Sequence, residues 1–283
     1  MENWLQFYQE LPLRINPLAF RVGFFQISWY SLMYLAGFFT VFRLLFWRIK
    51  KKEGDWSKEN IREFLLNAFL GAIIGGRLGY VLFYNLPFFW ANPLAIISPF
   101  GQYGEWAGIY GMSYHGGLLG VLIAAFFFCR KNKFNFFALA DFVIPAVPAG
   151  YFFGRLGNFL NGELFGRITQ KSWGMYFPGE TLLRHPSQLY EAFFEGIILF
   201  LILWILRNGI KYKNRLLYVP GFILYVLGYA FFRFGIEFFR QPDEQIGLLF
   251  SFLTLGQFFS LLMAAFSLAA LGLWKKILYN NSR

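Results

Sequence analysis

The chain has 283 residues, of which 57% are hydrophobic, 23% aromatic and only 14% charged. Soluble domains carry about 25% charged residues, so a soluble globular fold is excluded and an integral membrane protein is indicated. The net charge of +11 suits nucleic acid or an anionic lipid surface, and its placement in short clusters between apolar runs favours the lipid surface over nucleic acid. Cys129 is the only cysteine, so no internal disulfide is possible. Its place beside Arg130, at the end of an apolar run, marks it as a small apolar filler rather than a nucleophile. Two histidines and no cysteine cluster make no zinc site. No metal or cofactor is expected.

A helix crosses a bilayer with about 20 mostly apolar residues. The first ~20 residues lack a basic stretch leading into a short apolar core, so no cleavable signal peptide is expected. Segment one, about Phe24 to Phe46, serves as its own insertion signal. Segment two runs from about Phe64 to Tyr84 and is interrupted by Arg77. Its glycines Gly71, Gly75 and Gly79 fall at four-residue spacing, which favours close helix packing over a ligand role. Segment three is about His115 to Cys129. Segment four, about Phe136 to Phe159, contains Asp141 and Arg155. Segments five, six and seven run from about Leu189 to Leu206, Leu217 to Phe238 and Leu253 to Trp274.

The lysines and arginines set the orientation. Arg48, Lys50, Lys51, Lys52, Lys58 and Arg62 follow segment one. Arg130, Lys131 and Lys133 follow segment three. Arg207, Lys211, Lys213 and Arg215 follow segment five, and the tail holds Lys275, Lys276 and Arg283. Asn85 to Tyr114 has no lysine or arginine. The expectation is one all-α integral membrane domain over residues 1–283. It has seven transmembrane helices, the N-terminus outside and the C-terminus cytoplasmic. The outer connections Asn85 to Tyr114 and Asn161 to Ser187 are long enough for short amphipathic helices. The first, with Phe88, Phe89, Trp90 and Trp106, suits the outer interface or an aromatic belt. No internal repeat is evident.

Polar groups gather at the outer ends of these segments. Tyr30 lies in segment one, Arg77 in segment two, and His115 opens segment three. Arg155, Asn158, Asn161 and Glu163 close segment four, and Gln188, Tyr190 and Glu191 open segment five. Tyr229, Arg233 and Glu237 recur every four residues on one face of segment six, followed by Arg240, Pro242 and Asp243. Each has a bland reading: an i,i+4 ion pair for Arg233 and Glu237, a helix-end hydrogen bond for His115, solvated interfacial carboxylates for Glu163 and Glu191. Jointly, three arginines at one depth are an expensive set to keep near hydrocarbon. Arginine's planar fork suits phosphate, and carboxylates with a histidine add acid–base capacity. A phospholipid site follows. A lipid or ion transporter with a buried Arg/Glu relay is the alternative.

The stretch Gly154-Arg155-Leu156-Gly157-Asn158-Phe159-Leu160-Asn161-Gly162-Glu163, with Gly166 beyond it, carries a family resemblance. So do His115-Gly116-Gly117-Leu118, Arg77-Leu78-Gly79-Tyr80 and His185-Pro186-Ser187-Gln188-Leu189-Tyr190-Glu191. Arg233-Phe234, Glu237-Phe238-Phe239-Arg240-Gln241-Pro242-Asp243 and Leu255-Gly256-Gln257 complete the set. The chain resembles the bacterial prolipoprotein diacylglyceryl transferase family over nearly its whole length, with the motifs in order. The resemblance implies a multi-pass enzyme of the bacterial cytoplasmic (inner) membrane with its site toward the outer face. It implies transfer of the diacylglyceryl group of phosphatidylglycerol to the lipobox cysteine of a prolipoprotein signal peptide, forming a thioether and releasing glycerol phosphate. On that reading Arg155 binds phosphatidylglycerol and Arg233 stabilises the leaving group, with Arg240 a third cation. Asn158, Asn161, Glu163, Gly166 and Tyr229 line the lipid site. His115 is the candidate general base, with Tyr30, Glu163 and Glu237 as alternatives.

Overall fold

The computed structural model describes residues 4–23, 25–98, 111–212, 215–217, 219–242, 248–249 and 252–280. Phe24, Trp106, Lys213, Asp243 and Arg283, named above, lie outside the described residues.

Two short helices open the chain, α1 (Trp4–Gln9) and α2 (Leu11–Arg14). An antiparallel ribbon follows, β1 (Leu18–Val22) and β2 (Phe25–Ser28). α3 (Trp29–Lys50) is the first long apolar helix and places Arg48 and Lys50 in its last turn, where cations oppose the helix dipole. α4 (Lys58–Tyr84) starts on a capping box: Ser57 Oγ accepts from the Asn60 N–H at 3.0 Å, and Asn60 Oδ1 accepts from the Ser57 N–H at 3.2 Å. α5 (Leu86–Ala91) and a 3₁₀ turn at Pro93–Ile96 come next. α6 (Tyr114–Asn132) is capped by Ser113 and closes on Lys133 in the left-handed region.

Segment four is not one continuous α-helix. α7 (Phe136–Val143) meets a 3₁₀ turn at Ile144–Ala146 before α8 (Val147–Leu160). Pro145 and Pro148 each remove a backbone donor, which loosens the ladder there. α9 (Ser187–Glu191) passes through a π-helical stretch, Ala192–Ile198, into α10 (Leu199–Leu206). β3 (Ile210–Tyr212) and β4 (Arg215–Leu217) form a hairpin. Next comes α11 (Gly221–Ile236), whose first turn receives the buried-span carboxylate Asp141: the Phe222 N–H donates to Asp141 Oδ1 at 3.4 Å. After β5 (Leu248–Leu249) and β6 (Leu253–Thr254), α12 (Leu255–Asn280) ends the described chain.

Each predicted segment contains a helix, although Phe25–Ser28 of segment one, Leu217 of segment six and Leu253–Thr254 of segment seven are strand. Among the described residues, five stretches are long and apolar enough to cross a membrane: Trp29–Lys50, Lys58–Tyr84, Phe136–Leu160, Ser187–Leu206 and Leu255–Trp274. Gly221–Ile236 is a shorter apolar helix of 16 residues, and α6 carries polar residues at both ends. This is the architecture of a multi-pass integral membrane protein.

The chain divides into two compact units, Met1–Leu44 with Ala140–Arg283, and Leu45–Leu139. In the second unit α4 and α6 meet along a glycine seam. A Cβ on Gly75 would overlap the Gly116 carbonyl oxygen, and one on Gly79 would lie 2.8 Å from Gly116 Cα. The glycine spacing therefore serves helix packing. Arg77, in the same unit, donates from Nε to Ile96 O at 2.7 Å and from Nη2 to Ala95 O at 2.6 Å, with Phe89 under its guanidinium. It ties the turn after α5 to α4.

In the first unit, α8 packs on the π-helical stretch and α11 on α12. The connection from Asn161 to Ser187 departs from expectation. It holds no helix over 162–186 and forms turns and β-bridges, Ile168 with Arg184 and Met175 with Arg184. Gly162, Gly166, Gly174, Gly179, Pro178 and Pro186 make a helix unfavourable there. Met175 and Phe177 instead close over Phe159, and Tyr8, Leu11 and Ile15 of the N-terminal arm pack on the same cluster. The Tyr176 N–H donates to Gln9 O at 2.8 Å, fastening that arm down.

Candidate active site

Glu191, the last residue of α9, is fully buried. Three guanidiniums converge on it. Its Oε2 lies 2.7 Å from Arg155 Nε of α8, and its Oε1 lies 3.0 Å from Arg240 Nη1 and 3.4 Å from Arg233 Nη1 of α11. The Tyr151 hydroxyl is 3.3 Å from Oε2. A buried carboxylate costs several kcal/mol unless it is paired and hydrogen-bonded; here the cations supply both. The arginine side chains are each 14–17% exposed. The three side chains are therefore mostly buried, with a small part of each still accessible. Among the described residues, neither Arg155 nor Arg240 has a second carboxylate within ion-pairing distance.

Each arginine is held by a second set of contacts. Arg155 Nε donates to the Tyr151 hydroxyl at 2.7 Å, and its Nη1 donates to Asn158 Oδ1 at 3.2 Å. Asn158 is buried and passes the link on, donating to Glu163 Oε1 at 2.9 Å. The turn that carries Glu163 is fixed by left-handed Gly162 and Leu164, and by Gln188 Nε2, which donates to Glu163 O at 2.6 Å. Arg233 pairs one turn along its helix with Glu237, at 3.0 Å. The Glu237 carboxylate needs Gly256 beside it: a Cβ there would lie 2.6 Å from Glu237 Cδ. Thr254 and Gln257 fix Gly256 by a reciprocal capping box at 3.1 Å each way. Arg240 follows α11 and is anchored by its backbone. It bridges Gly166, and Arg167 Nε donates to Arg240 O at 2.9 Å. A Cβ on Gly166 would run into the Phe239 carbonyl.

The same unit holds an apolar cavity of about 560 Å³, lined by Tyr190, Phe194, Ala230, Phe231, Phe234 and Ser260 among others; none of the three arginines lines it. Tyr190 directly precedes Glu191 in the chain, so one helix carries both a wall of the cavity and the anion that gathers the arginines. Clustered cations and an apolar groove carried on the same helices match an amphiphile with an anionic head. Among the described residues no three His, Cys, Asp or Glu side chains converge as metal ligands.

The family model for prolipoprotein diacylglyceryl transferase matches residues 17–273. The chain belongs to this family. It is 44% identical, over 98% of its length and 95% of the relative's, to the phosphatidylglycerol–prolipoprotein diacylglyceryl transferase of Chlorobaculum tepidum. Proteins of the same name from Rickettsia bellii and Legionella pneumophila are 46% and 44% identical, covering 87% and 92% of this chain and 90% and 95% of theirs.

Of the residues that the transferase resemblance singled out, Arg155, Asn158, Glu163, Arg233, Glu237 and Arg240 form one connected network. Tyr30, near the start of α3, adjoins it. Its Cδ2 would lie 3.2 Å from a Cβ on Gly157, and Glu163 and Arg155 act electrostatically on its hydroxyl, which donates to Tyr34 at 3.0 Å. Tyr229 sets its ring edge against Tyr151, centroids 6.1 Å apart. Asn161 caps α8, its N–H donating to Gly157 O at 3.0 Å. Gly166 acts through its backbone, as described. His115 belongs to the other compact unit, exposed in the first turn of α6 with its ring edge-on to Tyr114.

Sequence reasoning counted Glu191 among the polar groups at the segment ends, with a solvated carboxylate as its bland reading, and assigned it no role; it passed over Tyr151 and Glu195. Glu195 had a signal: it is a carboxylate inside the apolar run of segment five, where a charge is a functional flag by default. Tyr151 had none beyond its four-residue offset from Arg155. His185, in the turn before α9, faces the Tyr190 hydroxyl at 3.1 Å and packs on Phe239. Burial, then Lys171, holds its pKa below the ordinary histidine value.

Proposed function

We propose that this transferase takes the diacylglyceryl group of phosphatidylglycerol and attaches it to the lipobox cysteine of a prolipoprotein. The substrate thiol loses its proton and its sulfur attacks the glycerol carbon next to the phosphate. The carbon–oxygen bond to that phosphate breaks, a thioether forms, and glycerol phosphate leaves. The nucleophile belongs to the substrate, which agrees with Cys129 being buried in α6.

The carrying observation is the set of three guanidiniums gathered by one buried carboxylate. Arg155 binds the lipid phosphate through the edge it does not spend on Tyr151 and Asn158. Arg233, held by Glu191 and Glu237, stabilises charge on the departing phosphate, where fixed cations in a water-poor site act most strongly. Arg240 is the third cation. The cavity takes apolar lipid chain. His115 is the candidate base for the thiol proton, and Tyr30, Glu163 and Glu237 are the alternatives.

The remaining parts of the reading rest on the charge distribution. Basic clusters after segments one, three and five and in the tail support seven crossings of one integral domain, with the N-terminus outside. The site then opens toward the outer face of the bacterial cytoplasmic membrane, where a prolipoprotein signal peptide presents its cysteine.

The test uses the purified full-length protein with phosphatidylglycerol vesicles and a lipobox peptide, reading release of glycerol phosphate. Arg155→Ala is expected to insert normally and lose transfer by at least about 100-fold, the scale of removing a charge-stabilising donor. Near-normal release refutes the phosphate role of Arg155. Movement of intact lipid without bond breakage refutes the transferase reading in favour of a transporter.

A further inference from the structure

The roles above leave one buried carboxylate unassigned. Glu195 is 1% exposed and sits in the π-helical stretch one turn beyond Glu191. Among the described residues it has no cation within ion-pairing distance. Its Oε2 accepts a close hydrogen bond from the Tyr151 hydroxyl, and its Oε1 has no partner. A buried carboxylate without a cation is expensive to keep, and simple packing gives no reason to keep it.

Tyr151 is the junction. Its hydroxyl has one proton and two lone pairs. It accepts from Arg155 Nε at 2.7 Å, and its ring lies under the same guanidinium, 4.8 Å from Cζ. Two carboxylates compete for the single proton: Glu195 at close range and Glu191 at 3.3 Å. The nearer one takes it. Oε2 of Glu191 is then left to Arg155, 2.7 Å away. Without an acceptor at position 195, the hydroxyl turns its proton to Glu191 Oε2, 3.3 Å away, and the phenol oxygen that receives the Arg155 Nε–H shifts with it. The guanidinium loses the contact that sets its plane.

We propose that Glu195 is a positioning residue for headgroup binding: acting through Tyr151, it fixes the Arg155 guanidinium for the lipid phosphate. This rests on the reading of Arg155 as the phosphate ligand. Glu195 does not touch the lipid.

The experiment measures KM for phosphatidylglycerol and kcat for glycerol phosphate release in the purified full-length protein. Glu195→Leu is expected to raise KM by about 10–100-fold, the usual effect of losing a group that orients a ligand-binding side chain, with a smaller change in kcat. A purely structural loss would lower the active fraction, and so kcat, without moving KM. Glu195→Gln keeps an acceptor oxygen for Tyr151 and is expected to recover most of the loss. Tyr151→Phe should match Glu195→Leu, and the double variant should be no worse than Tyr151→Phe alone, because Glu195 acts only through that hydroxyl. Wild-type KM in Glu195→Leu, additive losses in the double variant, or equal damage from Gln and Leu each overturn the proposal. Should Glu195→Leu fail to fold, a wild-type KM in Tyr151→Phe overturns it. Arg155→Ala runs alongside. If it loses binding while Glu195→Leu does not, only the role of Glu195 falls; if it binds normally, the phosphate reading itself falls.

Discussion

Glu191→Gln removes one charge while keeping the shape of the side chain. The amide offers one acceptor oxygen where the carboxylate has two. If the oxygen stays on the side of Arg240 and Arg233, at 3.0 and 3.4 Å, the NH₂ group faces Arg155 Nε, 2.7 Å from the atom it replaces. If it turns over, the NH₂ faces two guanidiniums. The first arrangement is the less unfavourable, so Arg155 is the cation released. Breaking a buried ion pair by removing one partner costs about 3–5 kcal/mol. Glu191 is fully buried, so solvent screening does not dilute that figure. At about 1.4 kcal/mol per factor of ten, the loss corresponds to at least about 100-fold in kcat/KM if it falls on the bound state. The assay is release of glycerol phosphate over a range of phosphatidylglycerol, with membrane insertion and thermal unfolding in detergent measured on the same preparations. The expected result is an inserted, less stable protein whose KM for the lipid rises most. Wild-type kinetics and stability together would refute the idea that one carboxylate organises the three arginines.

Gly75→Leu is expected to break the α4–α6 seam, because its Cβ alone would overlap the Gly116 carbonyl; overpacking costs about 1–3 kcal/mol or more, read as a lower yield of folded protein and a lower melting temperature. His185 gives a pH signature. Its pKa is lowered in the fold, so the unfolded chain binds more protons around pH 6.5 and stability falls as pH drops through that value. The wild-type melting temperature should fall between pH 7.5 and 5.5, with a smaller fall in His185→Gln. His115→Gln should lower the transfer rate; an unchanged rate would exclude it as the base.

Much of the helical framework was legible because lipid leaves few choices: each apolar run long enough to span must satisfy its own backbone, and it does so as a helix. The i,i+4 register of Arg233 and Glu237 and the spacing of Gly71, Gly75 and Gly79 are local properties, readable from the chain alone. The burial of Glu191 is not local. It depends on α8 and the chain after α11 bringing arginines from 36 and 49 positions away, which matches the separations between Arg155, Glu191 and Arg240. At the end of an apolar run, the same residue looks solvated. The break between α7 and α8 was signalled by Pro145 and Pro148. The fold of 162–186 was not, because its order comes from partners far away in the chain, Gln9 and Phe239, and from pairing between its own two ends, Gly166 and Arg167 with His185.

The wide turns of Ala192–Ile198 make this part of the chain sensitive to length as well as to residue type. Deleting one residue between Glu191 and Glu195 would let the stretch relax into an ordinary helix and bring the two carboxylates from four positions apart to three, changing the angle at which they meet the phenol of Tyr151. Substitutions of one apolar residue for another along the lipid-facing side are tolerable by comparison. Over these seven positions, register is the conserved quantity that an engineer of this enzyme has to respect.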